Sequence, residues 1–303
     1  MIDRACPICG TAEFAQVFAE STVDVAKLNE FAFASRKVPE YMHHRLMLCG
    51  KCDLLYADPV PAPDELSVAY RDAAFDSGEE AAFAARTYGR LLPAIERRLP
   101  DKVGALDIGT GDGAFLKELL GRGFTEVMGV EPSSAPIAAA EPSIRPLIRH
   151  GIFTVEDQKP GSFSLITCFQ TIEHLSEPLG VCKDVLKLLK PGGAMLIACH
   201  NRRAMTNRLL GQRSPIFDVE HLQLFSPKSA TALLETAGFK SVSVHTYVNR
   251  YPMHYWARLF PLPAGMKPGM IRSMKAIGVG HIPLPMPAGN MAVVGMKKMQ
   301  NAE

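Results

Sequence analysis

No unbroken apolar stretch in the 303 residues approaches the roughly 20 needed to cross a bilayer, so no transmembrane segment is expected. The opening residues, Met1-Ile-Asp-Arg-Ala-Cys6, lack the apolar core of a secretory signal. A cytoplasmic protein is therefore expected. Its seven cysteines should be reduced thiols or metal ligands rather than a disulfide framework. Net charge is also scarce: +2 overall is too little for a wholesale nucleic-acid-binding coat. Apolar residues are plentiful, at 47%, enough for one large α/β domain with a small appendage.

The chain is organised around Asp107-Ile-Gly-Thr-Gly-Asp-Gly113. An apolar run at 103–106 precedes it and reads as a buried strand. Residues 114–120 read as the first turns of a helix. Glycines at alternate positions let the backbone turn sharply and clear side chains from a ligand's path. Asp107, where the strand ends, is placed to accept a hydrogen bond from a cationic group. A second apolar run, 127–130, ends in Glu131, an acid suited to both hydroxyls of a ribose. The spacing is G-x-G-x-G, and Asp112 puts negative charge where a pyrophosphate would sit, which argues against a dinucleotide site.

Further along, a strand at 165–169 leads into Gln170-Thr-Ile-Glu-His-Leu175. Leu189-Lys-Pro-Gly-Gly193 reads as a helix end and a turn before another strand. Together with the glycine turn and Val130-Glu-Pro132, these segments resemble the class I S-adenosylmethionine-dependent methyltransferases over residues 85–246. The resemblance implies a Rossmann-like α/β sheet, mostly parallel, with an antiparallel last strand. It also implies S-adenosylmethionine as cofactor, bound by Asp107, Gly109, Thr110, Gly111, Gly113, Glu131, Pro132 and Gln170.

Cys6-Pro-Ile-Cys9 and Cys49-Gly-Lys-Cys52 are two C-x-x-C knuckles separated by residues 10–48. Two such turns make a tetrahedral thiolate site, so Cys6, Cys9, Cys49 and Cys52 are expected to hold a structural Zn2+. A closed four-sulfur shell leaves no catalytic position. The segment 14–48 alternates like short strands and is too small for a core without metal. Removing zinc should therefore unfold this module alone. Residues 54–63 read as a stiff proline-rich linker. Asp64 reads as a helix N-cap, and 79–99 as one amphipathic helix. Tyr70 and Tyr88 could reach the active site or simply pack in the core.

Methyl transfer to a protonated nucleophile needs a base, and histidine is the usual one. His174, His200 and His221 all sit near strand ends. Glu220-His221, taken with the cysteine knuckles, resembles zinc-containing sugar methyltransferases of natural-product pathways. That resemblance implies His221 as base with Glu220 as its partner, and His174 as a further candidate. Those enzymes carry a substantial extra C-terminal domain, so O-methylation fits this shorter chain as well as C-methylation. Ser226 reads as the N-cap of helix 227–237.

Acids are missing from 247–290, which holds Arg250, Arg258, Lys267, Arg272 and Lys275. Arg202, Arg203, Arg208 and Arg213 also lie in an acid-free stretch. Such segregation points to an anionic acceptor, such as a nucleotide-linked or lipid-linked sugar, and to a flap that could touch a membrane surface. The expected organisation is a zinc ribbon and linker at 1–62, a helical connector at 63–100 and the cofactor-binding core at 101–246. A basic, apolar insertion at 247–290 and a last strand with tail at 291–303 complete it. An RNA methyltransferase is the second enzymatic reading, although nucleic acid is disfavoured by the charge and by Phe169-Gln-Thr-Ile172. A non-catalytic S-adenosylmethionine-binding protein is the third.

Overall fold

The computed structural model describes residues 1–27, 33, 41–73, 75, 78–259 and 266–299. Near the amino end, β1 (Ala15–Ala19), β2 (Leu46–Cys49) and β3 (Leu55–Ala57) pair antiparallel. The expected linker at 54–63 is thus partly strand, with Leu46 opposite Ala57. Helix α1 (Pro63–Arg71) begins two residues earlier than an Asp64 cap would require, with Ala62 at the cap position. Pro63 takes the first helical position, and the Glu65 carboxylate accepts the Ala62 N–H at 3.1 Å. The single helix expected over 79–99 is two, α2 (Gly78–Gly89) and α3 (Leu92–Glu96). Pro93 has no N–H with which to carry the helical ladder across the break.

The alternating centre follows as β4 (Val103–Ile108), α4 (Ala114–Gly121), β5 (Thr125–Glu131), α5 (Ser134–Ala139), β6 (Ile148–His150), β7 (Phe163–Phe169), α6 (Pro178–Leu188) and β8 (Leu189–His200). After α7 (Met205–Leu210), β9 (Gln223–Leu224) and α8 (Pro227–Ala237) come β10 (Lys240–Pro252), α9 (Met253–Leu259), α10 (Lys267–Ala276) and β11 (Pro283–Met296). Ser226 caps α8, accepting the Ser229 N–H at 3.2 Å. Lys190-Pro-Gly-Gly193 is a bulged part of β8 rather than a turn. Gly192, at φ +77°, and a register shift against β7 absorb the irregularity.

Seven strands lie in the order β10-β11-β8-β7-β4-β5-β6. β4, β5, β6, β7 and β8 are parallel, and β11 is antiparallel to both of its neighbours. This is the expected Rossmann-like α/β sheet. The chain leaves β4 for β5 on one side and later returns to β7 on the other. Such a reversal opens a crevice at the carboxyl ends of the strands. β10 and β11 run on past residues 246 and 291: Tyr247 faces Asn290, and Pro252 faces Pro283. The insertion proper is therefore 253–282. Pro283, Pro285 and Pro287 lie beyond the stretch where β11 meets β8, so their missing N–H groups interrupt no second ladder.

The cysteine segment has no core of its own. Cys6, Cys49 and Cys52 pack in the same buried cluster as Leu106, Ile166 and Phe225 from the large sheet and its cover. β3 also pairs with β9, so the small sheet is completed from the far end of the chain. Arg4 makes the same connection. Its guanidinium donates to the carbonyls of Ala57, Ser176 and Leu222 and to Oε1 of Gln223. On the other face of the small sheet, Leu46, Leu55 and Ala57 form a second cluster with Ile216, Phe217, Leu222 and Leu224, so both faces of the module pack against later parts of the chain.

Candidate active site

One cavity of about 1230 Å3 opens over the carboxyl ends of the parallel strands. Its inner wall is the turn between β4 and α4. The N–H groups of Gly109 and Thr110 both donate to the Val130 carbonyl, at 2.9 and 3.1 Å, tying the turn to the end of β5. At Gly109, φ is +75° and a Cβ would lie 2.3 Å from the Thr171 hydroxyl, so only glycine fits. At Gly111, φ is +60° and a Cβ would meet nothing within 4 Å, so this stretch of backbone borders open space. Gly113 is the N-terminal flanking residue of α4 and lies behind that surface.

Two acids face this end. Glu131 accepts the N–H of Gly111 on one oxygen at 2.8 Å and that of Ser133 on the other at 2.9 Å. Burial raises its pKa, with those two bonds opposing. Asp107 is buried too and accepts the Thr167 hydroxyl at 2.6 Å. Burial pushes its carboxyl up to about 7. Pro132 and Gln170 line the same space. Gln170 has φ +49°, and its N–H donates to Ala198 at 2.7 Å, which anchors the strained residue to β8.

The outer part of the cavity holds three imidazoles. The His221 ring centroid is 5.0 Å from that of His174 and 5.2 Å from that of His200. Gln223 brings them together: its side-chain amide donates to the carbonyls of Ile172 and Leu175, both at 2.8 Å. The Glu173 carbonyl accepts Leu222 N–H at 2.9 Å, fixing 220–223 against the end of β7. Glu173 itself is fully buried. One carboxyl oxygen accepts His200 N–H at 2.7 Å, the other has no partner, and burial lifts the pKa to about 7.

Glu220 and His221 lie together with His174, their donor atoms all within 4.8 Å of one another. Oε2 of Glu220 lies 3.5 Å from Nδ1 of His174. Nδ1 of His221 instead lies 2.8 Å from the Ile216 carbonyl. A carbonyl only accepts, so that nitrogen carries the hydrogen and Nε2 keeps the lone pair. Tyr70 reaches in from α1, with its hydroxyl 2.9 Å from Nδ1 of His174. Burial raises its pKa well above the ordinary phenol value, so it stays protonated. His200 meets Asn290 at 2.7 Å, and burial, reinforced by His221, pushes its pKa down to about 3. It is neutral at any ordinary pH. Tyr88 packs against Phe169 at the cavity edge, 4.2 Å between centroids. Tyr70, one of the two tyrosines expected either here or in the core, reaches His174, whereas Asn290 and Gln223 carried no local signal in the sequence.

The arginine-rich stretches do not form one anion site. Arg202 and Arg203 both grip Asp53, which follows the second cysteine knuckle, and Arg258 lies 3.3 Å from Glu80. Acids remote in sequence neutralise them. Of the arginines described, Arg213 lines the cavity. The rest of the outer wall is largely apolar, with Tyr251, Tyr255, Trp256, Met270 and Met274. Among the described residues, no helix is long and apolar enough to cross a membrane.

Among the described residues, two of the donor sets that could hold a metal are the cysteines and the imidazole cluster. The sulfurs of Cys6, Cys9, Cys49 and Cys52 all lie within 4.8 Å of one another, with Cys6–Cys52 at 3.6 Å and Cys9–Cys49 at 4.0 Å. A tetrahedral zinc with bonds of about 2.3 Å separates its sulfurs by about 3.8 Å, so the residues present fit the ion. His174, Glu220 and His221 also offer atoms within 4.8 Å of one another. There, however, the Tyr70 hydroxyl already approaches Nδ1 of His174.

Comparison with known proteins places this geometry. The family described as a methyltransferase domain matches residues 79–244. The chain is similar to the ubiquinone biosynthesis O-methyltransferase of Idiomarina loihiensis, 32% identical over 41% of this chain and 51% of that one. Its counterpart in Pseudomonas aeruginosa is 31% identical over 32% of this chain and 44% of that one. The chain thus spans about half the length of the curated relatives it matches. Among solved structures, a possible histamine N-methyltransferase from Thermotoga maritima aligns at TM-score 0.47 and 21% identity, covering 72% of this chain and 91% of that one. Phosphoethanolamine N-methyltransferase 2 of Haemonchus contortus aligns at TM-score 0.49 and 15% identity, covering 81% and 62%.

Proposed function

The chain belongs to the methyltransferase-domain family, and on that premise we propose that it transfers a methyl group from S-adenosylmethionine to a hydroxyl of a largely apolar acceptor bearing one acidic group. One observation carries the reading: a single cavity joins the Gly111–Glu131 end to the imidazole end. Bound at the first end, S-adenosylmethionine supplies a methyl carbon made electrophilic by its sulfonium. The residues there suit it. Glu131 keeps a free lone pair on each oxygen for ribose hydroxyls, Asp107 offers a carboxylate to a cationic group, and the bare backbone at Gly111 admits the ligand. Gly109, Thr110, Gly113, Pro132 and Gln170 complete that end.

At the other end, His221 presents Nε2 as the base for the acceptor hydroxyl. The Ile216 carbonyl holds the ring in that tautomer. Glu220 and Tyr70 position His174 beside it. The names of the curated relatives support oxygen as the accepting atom. The aromatic and methionine-rich outer wall supports an apolar body over a sugar, and Arg213 supports one anionic group. We also assign a structural Zn2+ to the four cysteines, where it would brace the amino-terminal segment that Arg4 ties to Ser176, Leu222 and Gln223.

The test is transfer of labelled methyl to a panel of hydroxyaryl acids with and without an apolar tail, alongside their esters. The tailed acid should be the best acceptor, and Arg213→Gln should erase its advantage over the ester. Equal transfer to tail-less and tailed acceptors, or no product from any of them, would overturn the assignment.

A further inference from the structure

A second cluster of ligating side chains lies away from the imidazoles of the cavity. Glu79 and Glu80 open α2, His254 sits in α9, and His281 ends the short 3-10 turn Val279–His281. Ligand atoms of Glu79, His254 and His281 all lie within 4.8 Å of one another. Nδ1 of His281 is 2.9 Å from one Glu79 oxygen, and Nε2 of His254 is 3.7 Å from the other. Bonds of about 2.0–2.1 Å would set tetrahedral N and O ligands about 3.3 Å apart, between the two distances observed.

His254 supplies the independent observation. Its ring is fully buried, and Nδ1 lies 2.8 Å from the Gly280 carbonyl, so that nitrogen carries the hydrogen. In the neutral ring Nε2 is then the lone pair, and it is buried without a hydrogen-bond partner and aimed at carboxylates. Carboxylates only accept, so a neutral imidazole faces them with nothing to share. Either a proton or a metal ion resolves that opposition. The carbonyl behind Nδ1 is also the outer partner that metal-bound histidines use to fix their tautomer.

We propose that Glu79, His254 and His281 bind a divalent transition-metal ion, with water completing the shell on the exposed His281 side. Glu80 is not counted as a ligand, because Arg258 already holds it at 3.3 Å. Lys275 also faces Glu79 and favours a single ion of moderate affinity over a tight structural one. Two histidines and one carboxylate suit zinc or cobalt better than calcium or magnesium. The ion would pin the 253–282 insertion to α2. Both elements wall the cavity, through Tyr255 and Trp256 on one side and Ala81 and Tyr88 on the other.

Cobalt(II) titration of the purified full chain tests this, because it separates the site from the cysteine cluster. Thiolate ligands give intense charge-transfer absorption, and imidazole and carboxylate ligands do not. The wild type should take up one equivalent of Co2+ without thiolate absorption, with slowed amide exchange in residues 253–259. His281→Ala and Glu79→Gln, both at partly exposed positions, should lose that equivalent while keeping any cysteine signal. A wild-type titration without such an equivalent, or variants that bind it as the wild type does, would overturn the site.

Discussion

The Tyr70 hydroxyl lies 2.9 Å from Nδ1 of His174, although the two residues are far apart in the chain and on different elements. The same nitrogen lies 3.5 Å from the Glu220 carboxylate, so α1, the end of β7 and the 218–223 segment meet at one imidazole. Removing the phenol oxygen in Tyr70→Phe should lower turnover roughly three- to tenfold, about the net worth of one hydrogen bond. Calorimetry with S-adenosylhomocysteine should show unchanged affinity, because the Tyr70 hydroxyl bonds to His174 and to the Glu220 carbonyl at the other end of the cavity. A loss of affinity with turnover intact would place Tyr70 in the cofactor site instead.

His221→Ala should cut turnover by roughly 10²–10⁴-fold if its Nε2 takes the acceptor's proton. His200→Ala should not mimic it chemically, since burial keeps His200 neutral and its Nδ1 is occupied by Asn290. Single-turnover rates on both variants check this. Near-wild-type chemistry in His221→Ala would remove it from the mechanism.

Asp107 titrates near 7 in the ligand-free protein, and only its ionised form attracts a cation. Affinity for S-adenosylhomocysteine should therefore rise as pH increases through about 7 and level off above it. Asp107→Asn should bind roughly 10- to 100-fold more weakly and lose that pH dependence, the scale of a charge-assisted hydrogen bond. Calorimetry across the pH range decides it.

Glu173 is the reverse of a stabilising carboxylate. Its folded-state pKa, about 7, lies above the unfolded value, so the native state holds a proton that the unfolded chain has released. That contribution is complete below the unfolded pKa and is lost as pH rises through about 7, by up to about 3 kcal/mol. Denaturant melts of Glu173→Gln should fall less steeply between about pH 5 and pH 8 than those of the wild type. Parallel slopes would mean that the acid is already satisfied.

Because Cys6, Cys49 and Cys52 share a core with the large sheet, chelation should not release a separate module. Calorimetric melting of chelator-treated protein should show one transition, lowered by at least roughly 5 °C. Two resolved transitions would restore an autonomous ribbon.

The turn at 109–113, the acid at Glu131 and the cysteine knuckles were legible because each is a local pattern whose geometry its own few residues set. The parallel sheet followed from the alternation of apolar runs and helices. Partnerships between remote segments were not legible. Glu220 and His221 read as a pair because they adjoin, but nothing in their own stretch announces His174 beside Glu220 or the Ile216 carbonyl beside His221. Arg202 and Arg203 look unpaired in a stretch without acids, and Asp53 reaches them from the other end of the molecule. Where the β10–β11 pair ends was equally hidden, since its proline-rich extension carries no strand-like alternation.

The bond set of Arg4 has a consequence for the order of assembly. Its acceptors at 176 and 222–223, and the β9 strand that closes the small sheet, leave the ribosome only after most of the chain has been made. The amino-terminal strands emerge first and wait longest for their neighbours, with Leu46, Leu55 and the cysteines uncovered meanwhile. Early capture of a metal by the knuckles would shelter that nascent segment until residues 222–224 arrive to cover it.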